Sequence, residues 1–365
     1  MTDPGWLPVG VELADPVDLG GSRRSTVTRY AVRTGPAAWG GSVVLKTFRP
    51  DAGGGAVPRG YQRERVGLAH LPSTPTLLAS DDASLSLLME DLGGNPTLAD
   101  VLLDEDGDTD TAYQQTLAWA GALGRTLRPA ATLPEEVRKL LGPAVAEDRK
   151  ALRRHPQVGL TRLREVAGLR HGAAAASELD DVVDWLDSDT SRHVLAPGDT
   201  CPDNAVLTPT GVRFLDLESA GVRHAALEAA YVAEPFSTCW CVYAPPPGLT
   251  SSMLSAFTTG AQNLLPGLAQ DPDWPRQVRA AVALWVASGA LWLLDGALAD
   301  RRINPGRGGP PFRALLVARW RWVVRECADD LPDTAALCDE AITWALRTWR
   351  QRSRLDLPAY PALRG

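Results

Sequence analysis

The sequence lacks the marks of an exported or disulfide-stabilised protein. Its five cysteines are an odd number, and their spacing fits neither a disulfide framework nor a paired CxxC zinc site. The first ten residues contain no basic stretch followed by an apolar run, so they do not predict a secretion signal. We therefore expect a protein of the reducing cytoplasm.

A hydrophobic run long enough to cross a membrane is also missing. The longest nearly apolar stretch, residues 280–294, contains Ser288 and Gly289 and is bounded by Arg279 and Asp295. A spanning helix needs about 20 apolar residues. The stretch therefore predicts a buried core helix, and we expect no membrane partner.

Positive charge is scarce. The net charge is −7, whereas a general nucleic-acid binder needs a basic surface that displaces phosphate counterions, so we expect no nucleic-acid partner. Lysine is rarer still, because the chain contains only Lys46, Lys139 and Lys150 against 34 arginines. A lysine is informative in such a chain, since a compact ammonium binds phosphate as a point charge that a planar guanidinium does not reproduce.

What the sequence does contain is the composition of a folded globular chain. Of its 365 residues, 45% are hydrophobic and 22% are charged. Up to about residue 92, short β-branched and apolar runs are separated by Gly and Pro, which predicts strands. The predicted strands are residues 25–32, 42–48 and 85–89, with a short helix at residues 61–71.

After Gly93-Gly94-Asn95-Pro96 the pattern changes to helical periodicity. Residues 112–127 and 179–186 each place apolar side chains on one face, the second helix with Ser177 as its predicted N-cap. Helical periodicity also dominates beyond residue 227. Between these helices lies a strand-like interlude at residues 193–196, 205–207 and 212–215.

The fold class predicted from this order is α+β with two lobes. Residues 1–94 would form a small β-rich lobe, and residues 95–365 a large helical lobe with an embedded hairpin. A glycine-containing connector would join the two lobes.

The most informative segment is residues 197–204, Pro-Gly-Asp-Thr-Cys-Pro-Asp-Asn. Phosphoryl transfer from a nucleotide requires a carboxylate that orients the attacking hydroxyl, and oxygen ligands that hold Mg²⁺ against the phosphates. Asp199 and Asn204 have the Asp-x-x-x-x-Asn spacing of a kinase catalytic loop, and Asp216 follows an apolar strand as the second metal ligand does. Asp and Asn also populate ordinary turns, so this segment depends on agreement upstream.

Upstream residues occur in the order that a kinase requires. The strand Val43-Val44-Leu45 ends in Lys46, which is the context of the lysine that contacts the α- and β-phosphates. Glu64 on the following predicted helix is placed to pair with Lys46 and position it. The alternative is that Lys46 is a surface lysine at a strand end and that Glu64 is a solvated charge.

Two further segments are placed to bind a nucleotide through their backbone. Gly20, Gly21 and Ser22 form a glycine-containing turn before the first predicted strand pair, where N–H groups would cover the phosphates, although the full GxGxxG pattern is missing. The connector begins with Glu90, Asp91 and Leu92. Its backbone groups would face the adenine edge.

In this order the residues resemble the aminoglycoside phosphotransferase family, which is related to choline kinases and protein kinases. The resemblance covers about residues 17–235, and Gly198 replaces a protein kinase's arginine, as in the small-molecule branch. It implies a protein-kinase-like fold, with ATP and Mg²⁺ as cofactors. By that resemblance Asp199 is the base, Asn204 and Asp216 are the metal ligands, and Lys46, held by Glu64, contacts the phosphates.

The sequence departs from the family at two places. Pro197 stands where the family usually has a histidine before Gly-Asp, and Leu217-Glu218 follows the metal-ligand aspartate where a protein kinase has Phe-Gly. The family histidine braces the loop, so Pro197 changes the bracing and removes no catalytic atom. Glu218 offers a further carboxylate beside the metal ligands.

The resemblance implies a nucleotide and a small-molecule hydroxyl acceptor, an antibiotic or a metabolite, as the two ligands. In the family the helical lobe forms the acceptor pocket. Residues 225–365 carry 13 Asp and Glu against 14 Arg, which argues against a strongly cationic acceptor. One or two tryptophans of the predicted C-terminal helices could line the pocket: Trp285, Trp292, Trp320, Trp322, Trp344 and Trp349. Cys239-Trp240-Cys241 lacks a partner pair and is typical of a core or pocket wall.

A second hypothesis belongs to another class of protein. It is a catalytically inactive kinase-like module that binds a nucleotide or a partner protein, for example as a subunit of a peptide-modifying complex. Pro197 favours it, whereas a binding module would have no chemical need for a base and two metal ligands together. The kinase hypothesis requires that Lys46 and Asp216 face one cleft.

Overall fold

The computed structural model describes residues 5–50, 58–349 and 355–364. In its N-terminal part, five strands form an antiparallel sheet: β1 (Glu12–Gly21), β2 (Ser25–Thr34), β3 (Ser42–Phe48), β4 (Leu77–Asp81) and β5 (Ser86–Glu90). The order across the sheet is β1-β2-β3-β5-β4. Helix α1 (Arg59–His70) lies between β3 and β4 in the chain and contacts the segment Leu217–Ser219.

The central strand β3 carries two faces of different character. Successive side chains of a strand point to opposite faces. Val43 and Leu45 pack with the core on one face of the sheet, whereas Phe48 packs with the large core that continues into the helical part. Lys46 shares the face of Phe48 by this alternation, so a cation points towards the helical part of the molecule.

The sequence prediction missed β1 and β4. Strand β1 is an edge strand whose side chains are mostly exposed, and it contains Pro16 and the positive φ of 52° at Asp15, so it lacks an alternating pattern. The prediction that Gly20 and Gly21 precede the first strand pair is therefore wrong. Both glycines end β1, and the turn to β2 consists of residues 22–24.

The C-terminal part is helical, as predicted, and most of its mass lies in nine helices of the described residues. They are α2 (Leu98–Leu103), α3 (Thr109–Thr126), α4 (Glu135–Ala167), α5 (Gly172–Ser188), α6 (Ala225–Ala233), α7 (Leu249–Ala261), α8 (Trp274–Leu298), α9 (Phe312–Cys327) and α10 (Pro332–Thr348). Together with the sheet they confirm the α+β class.

Helices α4 and α5 depart from the prediction. The sequence analysis assigned no helix to α4, although it is the longest of the described helices, because Pro143 and Pro156 lie inside it and proline usually ends a helix. Ser177 is not an N-cap. It lies within α5, whose N-cap position is His171, since the alanine-rich turn before Ser177 is already helical.

Five short strands form the predicted interlude. They are β6 (Arg128–Pro129), β7 (His193–Ala196), β8 (Ala205–Thr208), β9 (Gly211–Phe214) and β10 (Gly221–His224). Strand β7 lies between β10 and β6, whereas β8 and β9 form the hairpin. The predicted strands at residues 193–196, 205–207 and 212–215 are confirmed to within one residue at each end.

The most apolar helix of the C-terminal part is α8. By length and composition it is the one helix of the described residues that could cross a membrane, yet 67% of its most apolar window is buried inside the fold. It packs against α4, α6 and α9. The structure therefore confirms the predicted core helix at residues 280–294.

Helices α3 and α7 approach each other through glycines. A Cβ on Gly124 would lie 2.2 Å from the carbonyl oxygen of Phe257, and one on Gly260 would lie 2.3 Å from that of Gly121. Neither position has room for a side chain, and the obstructing atoms are backbone. The distance between the two helices therefore depends on these glycines.

We predict that Gly124→Ala destabilises the fold by about 1–3 kcal/mol, because overpacking forces the backbone of α3 away from α7. Gly142→Ala is the matched control, since no atom lies within 4 Å of its Cβ position in α4. Alanine there should stabilise the helix by about 0.5–1 kcal/mol. Urea unfolding of both variants measures the difference, and equal free energies of unfolding would contradict the packing argument.

Candidate active site

A cleft of about 630 Å³ lies between the N-terminal sheet and the hairpin β8–β9. Its walls come from β1 to β3, from the connector after β5, and from the hairpin. Predicted site residues on its wall are Gly21, Ser22, Lys46, Glu64, Glu90, Asp91, Leu92, Asn204 and Asp216. Residues separated by up to 195 positions in sequence thus share one cavity.

The centre of the cleft is the ammonium group of Lys46. Its Nζ donates to Glu64 Oε2 at 2.5 Å and to Asp216 Oδ1 at 2.6 Å. The side chains of Lys46 and Glu64 are 7% and 2% exposed, whereas that of Asp216 is 41% exposed. One cation therefore joins β3, α1 and the second residue after β9, and the requirement that Lys46 and Asp216 face one cleft is met.

Burial and charge act against each other in this cluster. Burial alone would lower the pKa of Lys46, but Glu64 and Asp216 outweigh that effect and the pKa is raised. Burial raises the pKa of Glu64 to about 7, and the neighbouring Lys46 limits the rise. A buried charge without a partner costs several kcal/mol, so Lys46 and Glu64, which are both buried, depend on each other.

Helix α1 is held from a second direction by the residue before Glu64. Arg63 makes a bidentate ion pair with Asp148 of α4, with N···O distances of 2.8 and 2.9 Å. It also donates to the carbonyl oxygen of Ala220 at 2.9 Å. The position of α1 is therefore fixed relative to both the sheet and the helical part.

The hairpin register brings Asn204 and Asp216 together. Strands β8 and β9 pair Ala205 with Phe214, so the residue before β8 and the residues after β9 leave the hairpin at the same end. The N–H of Leu215 donates to the carbonyl oxygen of Asn204 at 2.8 Å. Asp216 follows at φ 56°, in the left-handed region that a residue other than glycine rarely adopts.

Asp199 is half-buried and is not among the residues that line the cleft. Burial raises the pKa of its carboxyl group, and the nearby charge of Asp216 adds to that rise. Gly198 before it has φ 86°, and a Cβ there would lie 2.3 Å from the carbonyl oxygen of Ser219. Only glycine fits this position, which places Asp199.

Other groups brace the loop that contains Pro197. Trp119 of α3 donates from Nε1 to the carbonyl oxygen of Thr200 at 3.2 Å. Within the loop, Asn204 Nδ2 donates to the carbonyl oxygen of Asp199 at 3.4 Å. The loop is therefore tied to the buried ring of a core helix without the family histidine.

The glycine-containing turn uses several of its own N–H groups. Gly20 donates to Asp18 Oδ1 at 2.8 Å, Ser22 donates to the carbonyl oxygen of Ser25 at 3.0 Å, and Arg24 donates to Ser22 Oγ at 3.0 Å. Gly21 and Ser22 line the cleft, whereas Gly20 is not part of its wall. The turn is thus a closed structure that covers one end of the cleft.

The acidic side chains of the connector form hydrogen bonds with residues of the sheet and the hairpin. Glu90 accepts from the N–H of Thr76 at 3.0 Å and from Arg213 at 2.8 Å. Asp91 accepts from Ser42 at 2.7 Å and from Arg29 Nη2 at 3.0 Å. These contacts hold the connector against the sheet and the hairpin while the residues line the cleft.

A second cavity of about 450 Å³ adjoins the first. Helices α4 and α8 form two of its walls, through Leu152 and through Trp285 and Trp292. Gly198 and Glu218 also line it, and Glu218 lines the first cavity as well. The two cavities therefore meet at Glu218, beside the loop of Asp199.

Some residues of this region were not predicted from the sequence. Asp203 lies on the wall of the first cleft, and Arg24 makes an ion pair with Glu218 at 2.6 Å. Asp203 could have been found from its place in the catalytic segment, next to Asn204. The pairing of Arg24 with Glu218 has no sequence signal, because it depends on how the β1–β2 turn folds over the cleft.

The chain is similar to solved structures, but its sequence matches no known family model. No protein-family model matches the chain, and no curated protein matches it. Among solved structures, the chain is similar to a choline kinase from Cryptosporidium parvum Iowa II, with 12% identity and a TM-score of 0.49, over 94% of this chain and 96% of that one.

Two other solved structures show the same kind of similarity. The macrolide 2'-phosphotransferase MphH from Brachybacterium faecium has 19% identity and a TM-score of 0.43, over 78% of this chain and 89% of that one. The choline kinase LicA from Streptococcus pneumoniae has 13% identity and a TM-score of 0.46, over 87% and 94%. These proteins belong to the group that the sequence resemblance named. At such identities the chemistry of this chain must be argued from its own residues.

His224 in the second cavity gives a test of the buried electrostatics. Its Nδ1 accepts the N–H of Ala226 at 3.1 Å, and its Nε2 lies 3.6 Å from Asp189 Oδ2. Burial lowers the pKa of His224 from 6.5 to about 4, against the nearby charge of Asp189. Below pH 6.5 the unfolded chain therefore binds a proton that the folded chain does not bind.

We predict that the protein loses stability as the pH falls from about 6.5 to about 4, and that His224→Asn reduces this loss by up to about 3 kcal/mol. Asparagine keeps an acceptor for the N–H of Ala226 and removes the titration. Urea unfolding across this pH range measures the slope, and the difference between the two proteins at pH 8 is the control for packing. Parallel stability curves for the two proteins would refute the assignment.

Proposed function

We propose that this chain is an ATP-dependent phosphotransferase that moves the γ-phosphoryl group to a hydroxyl of a small molecule, an antibiotic or a metabolite. The observation that supports it is the contact of Lys46 with both Glu64 and Asp216 inside one cleft. This arrangement uses the side chains that phosphoryl transfer requires, in the order of a kinase. The reaction would take place in the cytoplasm.

The two parts of the chain have different roles in the proposed reaction. Residues 1–94 form the nucleotide-binding lobe, in which Lys46 contacts the phosphates and Glu64 positions it. The turn that contains Gly20 covers the phosphates through Gly21 and Ser22, which line the cleft, and the connector Glu90, Asp91 and Leu92 meets the base. Residues 95–365 carry the catalytic loop and the acceptor site.

Asp199 acts as the base in this proposal. It orients the acceptor hydroxyl and takes its proton as the new bond to phosphorus forms. Its raised pKa suits that task, because a general base works best when its pKa approaches the working pH. Its neighbour Gly198 lines the second cavity, and Glu218 lines both cavities, so Asp199 lies next in the chain to a residue of the second cavity wall.

The residues present fit Mg²⁺. Asn204 and Asp216 offer amide and carboxylate oxygens at the same end of the hairpin, and a hard cation prefers oxygen ligands. Asp216 contacts Lys46 through Oδ1. When bound, Mg²⁺ neutralises charge that develops on the phosphates. Glu218 adds a carboxylate near this site, with a pKa raised by burial and by Asp216.

The second cavity is the proposed acceptor site. Trp285 and Trp292 give it apolar walls, as the sequence analysis proposed for one or two tryptophans. Its acidic residues already have arginine partners, since Asp148 pairs with Arg63 and Asp187 lies 3.5 Å from Arg149. This balance favours an acceptor with an apolar body over a polycation.

We predict that ATP and Mg²⁺ together raise the melting temperature, whereas either one alone has little effect, because the proposed site holds the metal against the phosphates. Saturation at a hundredfold excess over Kd would stabilise the fold by about 2.7 kcal/mol. Differential scanning fluorimetry measures the shift. A shift with ATP that is independent of Mg²⁺ would favour the alternative, an inactive module that binds a nucleotide or a partner protein.

Variants of Asp216 and Asp199 test whether the proposed site is catalytic, with ATP hydrolysis and the thermal shift as the two measurements. Asp216→Ala should abolish slow ATP hydrolysis and the joint shift, whereas Asp199→Asn should keep the shift and lose about 10²–10⁴-fold in rate. Asp106→Asn, on an exposed loop, is the matched control. Equal hydrolysis rates for all three variants and the unaltered chain would refute the assigned roles.

We predict that Leu152→Trp, which fills the second cavity from α4, raises the KM for the acceptor at least tenfold and leaves the KM for ATP unchanged. The acceptor is first found by screening hydroxyl compounds for ADP release. Val158→Trp, on the exposed side of the same helix, is the control. If both variants keep the acceptor KM of the unaltered chain, the acceptor binds elsewhere.

A further inference from the structure

A group of thiols lies beside the catalytic loop. Cys201, Asp203 and Cys239 each offer a ligand atom, and these atoms all lie within 4.8 Å of one another. Cys241 is close to the group, with its Sγ 2.9 Å from that of Cys239. The sequence Cys239-Trp240-Cys241 has no partner pair nearby in the chain, but the fold supplies Cys201 and Asp203 as partners.

The donor types select the ligand. Thiolate sulfur prefers soft or borderline cations such as Zn²⁺, whereas Mg²⁺ prefers oxygen alone. Structural zinc sites are four-coordinate and commonly contain two or more thiolates. Two cysteines and one carboxylate provide three donors of the right kind, and Cys241, beside Cys239, is available as the fourth. The oxygen ligands proposed for Mg²⁺, Asn204 and Asp216, are separate residues.

Surrounding groups orient these donors. Trp240 donates from Nε1 to Asp203 Oδ2 at 2.7 Å, and Asp203 Oδ1 lies 3.8 Å from Cys239 Sγ. The N–H of Cys241 donates to Cys239 Sγ at 3.5 Å, and the hydroxyl of Tyr231 lies 3.0 Å from Cys201 Sγ. Hydrogen bonds from neighbouring groups to the ligands are a regular feature of metal sites, because they fix ligand orientation.

The four candidate ligands differ in burial, because the two sulfur atoms of Cys239 and Cys241 are enclosed and the other two residues are partly exposed. Cys239 and Cys241 are 2% and 0% exposed, whereas Cys201 and Asp203 are half-buried. Asp203 and Trp240 also line an open groove beside α2. A cation can thus reach the carboxylate from solvent and then meet the buried sulfur atoms.

We propose that Cys201, Asp203 and Cys239, with Cys241 as the remaining donor, bind one thiophilic divalent cation such as Zn²⁺. On binding, each coordinating thiol releases its proton to solvent and no electron is transferred. Cys201 and Asp203 lie between Asp199 and Asn204 in the chain, whereas Cys239 and Cys241 follow α6. The cation therefore ties the catalytic loop to the segment between α6 and α7. This site does not depend on the proposed kinase activity.

The test is a titration of the full chain, purified under reducing conditions and stripped of metal, with Co²⁺ as the spectroscopic probe. We expect thiolate-to-cobalt charge-transfer absorption that saturates at a single equivalent and disappears when Zn²⁺ is added. Excess Mg²⁺ should not displace the cobalt. Cys239→Ala should weaken binding by at least about tenfold. Cys338→Ala, which removes a buried thiol of α10, is the matched control and should bind as the unaltered chain does.

A second variant keeps the proposal testable if Cys239→Ala does not fold, as judged by circular dichroism. Asp203→Asn keeps an oxygen for Trp240 and removes the anionic ligand, so it should lower Zn²⁺ affinity while the charge-transfer absorption remains. Three results would each overturn the proposal. They are no cobalt absorption with the unaltered chain, equal affinity in the folded variants and the unaltered chain, or displacement of the cobalt by excess Mg²⁺.

Discussion

The structure around the cleft depends on one buried cation. Lys46 is the only described lysine that is buried, and its ammonium group contacts a carboxylate from α1 and another from the end of the hairpin. Removing it would leave Glu64 buried without a partner, which typically costs about 3–5 kcal/mol. The relative position of sheet, helix and hairpin is therefore set by electrostatics as well as by the apolar core.

The hairpin β8–β9 brings Asn204 and Asp216 into the cleft that holds the ammonium group of Lys46. Its register places Asn204 opposite Leu215, so the next residue, Asp216, comes to the ammonium of Lys46 while Asn204 stays beside it. Gly198 allows the loop that carries Asp199 to approach the backbone of Ser219. A short antiparallel ladder and one glycine thus gather the side chains that the proposed reaction needs.

Much of this arrangement could be predicted from the sequence. The apolar strand before Lys46 and the spacing of Asp199, Asn204 and Asp216 reflect local geometry, and local geometry is encoded in neighbouring residues. Strand β1 and helix α4 could not be predicted, since an exposed edge strand has no alternation and internal prolines mask a helix that packing stabilises. The meeting of Cys201 with Cys239 was equally hidden, because it depends on how α6 returns the chain to the loop.

Ion pairs and a hydrogen bond fix helix α1 to both the sheet and the helical part of the molecule. Glu64 accepts a hydrogen bond from Lys46 of the sheet. The adjacent Arg63 donates to Asp148 of α4 and to the carbonyl oxygen of Ala220. Rotation of this helix would break both ion pairs at once. The cleft is therefore preorganised, and a nucleotide that binds as proposed would spend little of its binding free energy on ordering the protein.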